Sequence, residues 1–128
     1  MEDQEIYAAI GQEGFERLVA AFYRQVPGDE ILGPMYPAND LEAARGRLRD
    51  FLIFRFGGPQ VYIEQRGHPR LRMRHAPFVI GPAERDAWLR HMLGAVLELE
   101  SASRITAADA LELRDYLDMA ANSLVNSP

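Results

Sequence analysis

Cysteine is absent from the 128 residues, which removes disulfide frameworks, thiol nucleophiles and thiolate metal sites together. Lysine is absent too, so all fourteen basic residues are arginine. No apolar run approaches the roughly eighteen residues that a bilayer-spanning helix needs. There is no His-Glu-x-x-His run, and none of His68, His75 and His91 pairs with another at three- or four-residue spacing, so a zinc site is not expected. No Gly-rich phosphate loop opens a helix; Gly57-Gly58-Pro59 reads as the end of one. Ser101, Ser103, Ser123 and Ser127 all fall in the last third without a neighbouring histidine, which gives no basis for nucleophilic hydrolysis. Residues 1–5 are acidic, where a signal peptide carries positive charge. A cytoplasmic protein is the expectation.

What is present describes an ordinary folding chain. An apolar share of 48% with 26% charged residues excludes general disorder. The length suits about one domain, and a chain of this size buries roughly two-thirds of its unfolded surface. That leaves room for one core and one sizeable ligand. A net charge of −5 argues against a nucleic-acid binder, which would carry a basic face. Eight of the fourteen arginines nevertheless lie between Arg45 and Arg74. Arginine's planar fork donates two hydrogen bonds to carboxylate or phosphate, so an anionic partner is expected there.

Apolar spacing is helical almost throughout. Phe15, Leu18, Val19, Phe22 and Val26 line a helix running from after Gly11 to before Pro27-Gly28, and a short turn is expected at 29–32. Pro34 and Pro37 bracket a corner holding Met35 and Tyr36. Asn39 or Asp40 is placed to cap a second helix, with Leu41, Ala44, Leu48, Phe51 and Leu52 on one side. Val61-Tyr62-Ile63 has strand character, yet no second strand signal exists to pair with it. Pro69 opens a short helix through Leu71 and Met73 to His75, and Pro77 closes it. Pro82 starts a long helix carrying Trp88, Met92, Ala95, Val96 and Leu99. Thr106 with Asp109 resembles a capping box before a last helix through Leu113, Leu117, Ala120 and Leu124.

An isolated histidine is ordinarily exposed or satisfied within the core, and His68 and His91, the latter on the outer side of the long helix, are read that way. His75 differs in its surroundings. It ends a proline-bounded segment, with apolar Leu71, Met73 and Phe78 around it and Arg70, Arg72 and Arg74 before it. A neutral imidazole so placed suits a haem iron, with arginine for the propionates. Core packing alone accounts for Tyr23 and Trp88, although buried hydroxyl and indole N–H groups usually need a partner.

The run from Glu64-Gln65-Arg66-Gly67-His68-Pro69 through Arg70-Leu71-Arg72-Met73-Arg74-His75-Ala76-Pro77-Phe78 resembles the proximal-histidine region of group II (O-type) truncated haemoglobins. The likeness continues in Phe22-Tyr23, Met35-Tyr36-Pro37, Gly57-Gly58-Pro59, Arg85-Asp86-Ala87-Trp88-Leu89 and Met119-Ala120-Ala121-Asn122-Ser123-Leu124. It implies an all-α truncated globin over residues 1–128, a two-over-two helical sandwich around haem b (iron protoporphyrin IX). It implies that the helix before the proximal histidine is largely loop and that His75 is the iron ligand. Tyr23, Tyr36 and Trp88 fall on the distal positions that stabilise a bound ligand. Ala44 stands where many globins carry a distal histidine, and Leu48 and Phe51 complete the apolar wall. Arg47, Tyr62 and Arg74 match the propionate partners, and Met73 and Phe78 fall among the remaining haem contacts. Many group II relatives are dimers, so the resemblance also suggests a homodimer.

Hydrogen bonds to charged groups contribute roughly 1.5–3 kcal/mol each, so two or three distal donors imply slow oxygen release. Retention or reaction is then favoured over delivery. Two functions follow. One is a haem protein turning over peroxide, nitric oxide or peroxynitrite with an external electron donor, since no flavin or nicotinamide domain is present. The other is an oxygen sensor or store without turnover. A haem-free helical regulatory domain using its arginines for an anionic partner is a third reading.

Overall fold

Gly11 divides the first helix. The computed structural model describes residues 2–128, with side chains from Ile6 onward; the acidic run at 1–5 therefore lies outside the described side chains. Helix α1 spans Glu2–Gln25, and at Gly11 the backbone turns to φ 65°, ψ −173°, a conformation open to glycine. The expected helix after Gly11 is there. The turn before it was not expected, because the stretch is rich in acids and glutamine. Its apolar residues Ile6, Tyr7 and Ile10 nonetheless pack on the core, with the Tyr7 and Phe15 rings stacked 6.2 Å apart.

Three 3-10 turns, Val26–Gly28, Gly33–Met35 and Ala38–Asp40, carry the chain around the proline corner to α2 (Leu41–Arg55). Asp40 makes no capping hydrogen bond to α2, nor does Asn39; its carboxylate instead accepts from Arg47 Nη2 at 2.8 Å. Helix α2 ends as Gly57-Gly58 leads one to expect. Gly57 takes φ 92°, Gly58 N–H donates to Ile53 O at 2.8 Å and Gly57 N–H to Phe54 O at 3.3 Å. That is the paired closure of a Schellman motif. A Cβ on Gly58 would lie 2.5 Å from the Ile53 side chain, so the close approach also demands glycine.

Val61-Tyr62-Ile63 is helix, not strand: α3 spans Val61–Arg66, and no strand occurs among the described residues. The expectation that the stretch before the proximal histidine is largely loop is corrected in the same way. Helix α4 is the five-residue Leu71–His75, entered through Arg70 in the left-handed region at φ 43°. Helix α5 (Pro82–Ser101) starts at its proline, and α6 (Ala107–Ser123) is capped by Thr106, whose Oγ1 accepts from Asp109 N–H at 3.1 Å.

Helix α1 packs against both α2 and α5, and α6 packs on α5, which yields the two-over-two arrangement; α3 leans on α2. Phe15, Leu18, Val19 and Phe22 of α1 are fully buried with Met92 and Val96 of α5 and Leu113 of α6. Each such side chain contributes about 1.5–3 kcal/mol on burial. No described helix is long and apolar enough to cross a membrane.

His91 is not on the outer side of its helix. Its side chain is 14% exposed, with Nε2 2.7 Å from Asp29 Oδ2 and Nδ1 2.7 Å from Gln25 Oε1. Asp29 also accepts from the backbone N–H groups of Ile31 and Leu32 and from Arg90. This cluster ties α5 to the end of α1 and to the start of the proline corner. The Leu32 N–H, then the hydrogen bond from His91 and the Ile31 N–H, hold the Asp29 carboxyl down from 3.8 to about 2. A folded-state value below the unfolded one adds stability above pH 3.8 that is lost as the pH falls toward about 2. Asp29→Asn is expected to lower the urea midpoint at neutral pH, by about 1–3 kcal/mol in stability. The gap to the parent should close between pH 3.8 and about 2; a gap unchanged across that window would show that Asp29 is not the titrating group.

Candidate functional site

Three elements converge on one polar aromatic cluster. Tyr23 comes from the last turns of α1, Tyr36 from the proline corner and Trp88 from the second turn of α5. Tyr23 and Tyr36 meet edge to face, with centroids 5.6 Å apart and planes at 83°. Phe22, fully buried, joins the group: its ring lies 4.8 Å from Tyr23 and 5.9 Å from Trp88. A core residue thus sets the relative positions of two polar ones, and a shift of α5 against α1 would move Trp88 relative to Tyr23.

The Tyr23 hydroxyl donates to the Ala44 carbonyl of α2 at 3.4 Å. Burial, and then the charge of Tyr36, push the Tyr23 phenol far above the ordinary tyrosine value. Burial also raises Tyr36, while its interaction with Tyr23 and the charge of Arg47 pull it back. Both hydroxyls therefore keep their protons. Trp88 is half-buried, and its indole N–H has no protein acceptor among the described residues.

Helix α2 supplies the rest of this side. Ala44 is buried and contributes only a methyl group and its carbonyl, while Leu48 and Phe51 are half-buried against the core. Arg47 stays beside the tyrosines, its guanidinium held by Asp40 at 2.8 Å. The Phe51 ring packs 5.6 Å from Tyr62 of α3, which is buried, and the Arg74 guanidinium lies over Tyr62 at 6.0 Å. This column links α2 through α3 to α4.

His75 ends α4. Its Nδ1 lies 2.7 Å from the carbonyl of Leu71, one turn earlier. A carbonyl accepts only from N–H, so Nδ1 carries the proton and the lone pair is left on Nε2, the arrangement that suits a metal ligand. Sequence spacing offered Leu71 only as apolar lining; its carbonyl is the more consequential contribution. Phe78 lies 6.3 Å from the imidazole and is 46% exposed. Met73, 60% exposed, lines a groove of about 480 Å³ with Arg72, Ala76, Phe78, Val79 and Leu124. Arg74 donates to three backbone carbonyls, of Pro69 at 2.6 Å, Arg66 at 2.8 Å and His68 at 3.1 Å, so its guanidinium braces the turn before α4.

No hydrogen bond or ring contact joins His75 to the tyrosines or to Trp88 among the described residues, and no group of three His, Cys, Asp or Glu side chains converges there. The protein thus offers one oriented imidazole, an apolar wall, and polar aromatic donors on other elements. That donor set fits a planar cofactor which brings its own metal ligands, and it does not fit a metal held by protein alone.

Residues 5–123 match the model of the bacterial-like globins. The Group 2 truncated hemoglobin YjbI of Bacillus subtilis (strain 168) is 43% identical over 90 residues, covering 70% of this chain and 67% of that protein. A thermostable hemoglobin from the actinobacterium Thermobifida fusca superposes with a TM-score of 0.89 at 49% identity, over 96% of this chain and 98% of the other. A truncated oxygen-avid haemoglobin from Bacillus subtilis superposes at 0.83 with 36% identity, over 94% and 98%.

Proposed function

The chain belongs to the bacterial-like globins, and within them to the group II truncated haemoglobins, and from that premise we propose that it retains oxygen and reacts it, or other small oxidants, instead of delivering it. Membership itself implies haem and the binding of oxygen and other diatomic ligands. The proposal adds that residues 1–128 form one truncated globin domain and that the cofactor is haem b. It adds His75 as axial ligand and Tyr23, Tyr36 and Trp88 as the residues that stabilise the ligand. The observation that carries it is the pairing of Tyr23 and Tyr36, packed edge to face at 5.6 Å, whose hydroxyls burial keeps protonated.

When bound, haem would supply a redox-active iron, which His75 would hold. The chain supplies everything that steers it. Leu71 holds the His75 ring through Nδ1 and keeps Nε2 as the donor atom. Leu48 and Phe51 exclude water from the opposite side, where hydrogen bonds gain strength. Tyr36 O–H and Trp88 N–H would donate to a negatively charged bound ligand, and Tyr23 packs edge to face against Tyr36. Ala44 brings no side-chain donor, so these aromatics act alone. Arg47 and Tyr62 are proposed for the propionates, with Arg74 available only if it exchanges a carbonyl for a carboxylate. The oxygen-avid Bacillus subtilis relative supports slow release here.

Sustained turnover needs electrons from outside the domain, and an external electron donor is part of the proposal, as are a cytoplasmic setting and a homodimer. Reconstitution with haemin is expected to yield a Soret band and, with a chemical reductant, steady consumption of peroxide or nitric oxide. Consumption no faster than that of free haemin would set the reactive reading aside in favour of a sensor or store.

A further inference from the structure

Helix α4 carries His75 yet is five residues long and packs only lightly on other helices, whereas α3 finds a partner in α2. The segment that follows is not held by burial either, since Phe78 is 46% and Val79 71% exposed. Its hydrogen bonds are therefore the main restraint. Upstream, Arg74 ties the helix to the carbonyls of residues 66, 68 and 69. Downstream, Phe78 N–H donates to His75 O at 3.0 Å, and Phe78 is in turn held from the C-terminal tail.

That hold is one side chain. Asn126 Nδ2 donates to Phe78 O at 2.9 Å, and Asn126 Oδ1 accepts from Ile80 N–H at 2.9 Å. The tail backbone completes the clip: Asn126 N–H and Ser127 N–H both donate to Ile80 O, at 2.8 and 3.1 Å. A carboxamide alone among small side chains offers a donor and an acceptor side by side, and its two partners, a carbonyl and an N–H, allow one orientation of it. Ile80 is itself buried at 9% exposure, so the clip has a fixed end in the core and a free end at Phe78.

We propose that Asn126 is a positioning residue for His75, fixing the residues after α4 so that the imidazole keeps one orientation toward the iron. The inference rests on the reading of His75 as axial ligand. Asn126 has no hydrogen bond to the imidazole; it acts through Phe78 and the main-chain bond from Phe78 to His75. The competing account is that the clip only anchors the tail.

The test uses Asn126→Ala in the full chain, with Asn122→Ala as control, because Asn122 accepts from Arg85 and lies outside the clip. Two readouts are needed. Amide exchange at Ile80, measured in haem-free protein, is expected to accelerate by about tenfold in Asn126→Ala, as the loss of the part-buried hydrogen bond from Ile80 N–H implies, and to stay at the parent rate in Asn122→Ala. In ferrous ligand-free protein reconstituted with haem, the iron–histidine stretching band should shift or split in Asn126→Ala alone. Faster Ile80 exchange with an unmoved band would overturn the positioning role and leave only a tail anchor; unchanged exchange would overturn the clip itself. If the parent band survives His75→Gly, the axial-ligand reading falls and takes this inference with it, and that failure is visible before Asn126 is altered.

Discussion

His75→Gly is expected to abolish protein ligation of the iron: the ferrous ligand-free protein should lose its iron–histidine band, and added imidazole should restore it. Haem loss to an apoprotein acceptor should accelerate by more than about a hundredfold, since removing even an outer partner of a metal ligand costs ten- to a hundredfold. The physical basis is the 2.7 Å contact from Nδ1 to Leu71 O, which leaves Nε2 as the coordinating atom and sets the ring plane. His68→Gly should leave the spectrum unchanged, because His68 is exposed and its Nδ1 accepts from Arg70 N–H in the turn before α4. His91→Gly separates two effects. It should lower stability, since it breaks the bonds to Asp29 and Gln25, yet the folded fraction should keep the parent spectrum. Loss of the band in His91→Gly and its retention in His75→Gly would reverse the assignment.

The same contrast explains what could be read along the chain. The long helices are legible because their apolar residues recur at three and four positions and because Gly57-Gly58 and Pro82 punctuate them. The Val61-Tyr62-Ile63 run misleads because β-branched residues favour strands locally, while Tyr62 gains more by burying its ring against Phe51 of α2. Tertiary contact overrides propensity there. His91 misleads for a different reason: its partners Gln25 and Asp29 are 66 and 62 positions away, so no local pattern signals them.

At the site, residue types were legible and their duties less so. Arg74 stands where an anion is expected, but three unpaired carbonyls in the turn beside it draw its donors first. Arg47 likewise arrives already paired with Asp40. Asn126 carried no signal at all. Its role depends on the tail lying along residues 78–80, which neither periodicity nor motif reports.

Tyr36→Phe is expected to speed oxygen release by about ten- to a hundredfold, which corresponds to losing one hydrogen bond to a charged acceptor, roughly 1.5–3 kcal/mol. Trp88→Phe should raise it by about tenfold, because its indole N–H has no protein acceptor among the described residues. Tyr23→Phe should have the smaller effect of the two tyrosines, since the Tyr23 hydroxyl already donates to the Ala44 carbonyl. The two rings are in contact, so the double variant Tyr23→Phe/Tyr36→Phe should depart from additivity. Burial raises both phenols, so both protons are retained through neutral pH and the parent release rate should be flat up to the ordinary tyrosine range near 10. The sign for stability is the same. A tyrosine raised on folding adds stability that is complete below pH 10 and disappears as the pH climbs through the folded value, so Tyr23→Phe should blunt alkaline unfolding. Stopped-flow displacement of oxygen by carbon monoxide measures each rate. A Tyr23→Phe effect larger than that of Tyr36→Phe would make Tyr23 the residue that meets the ligand.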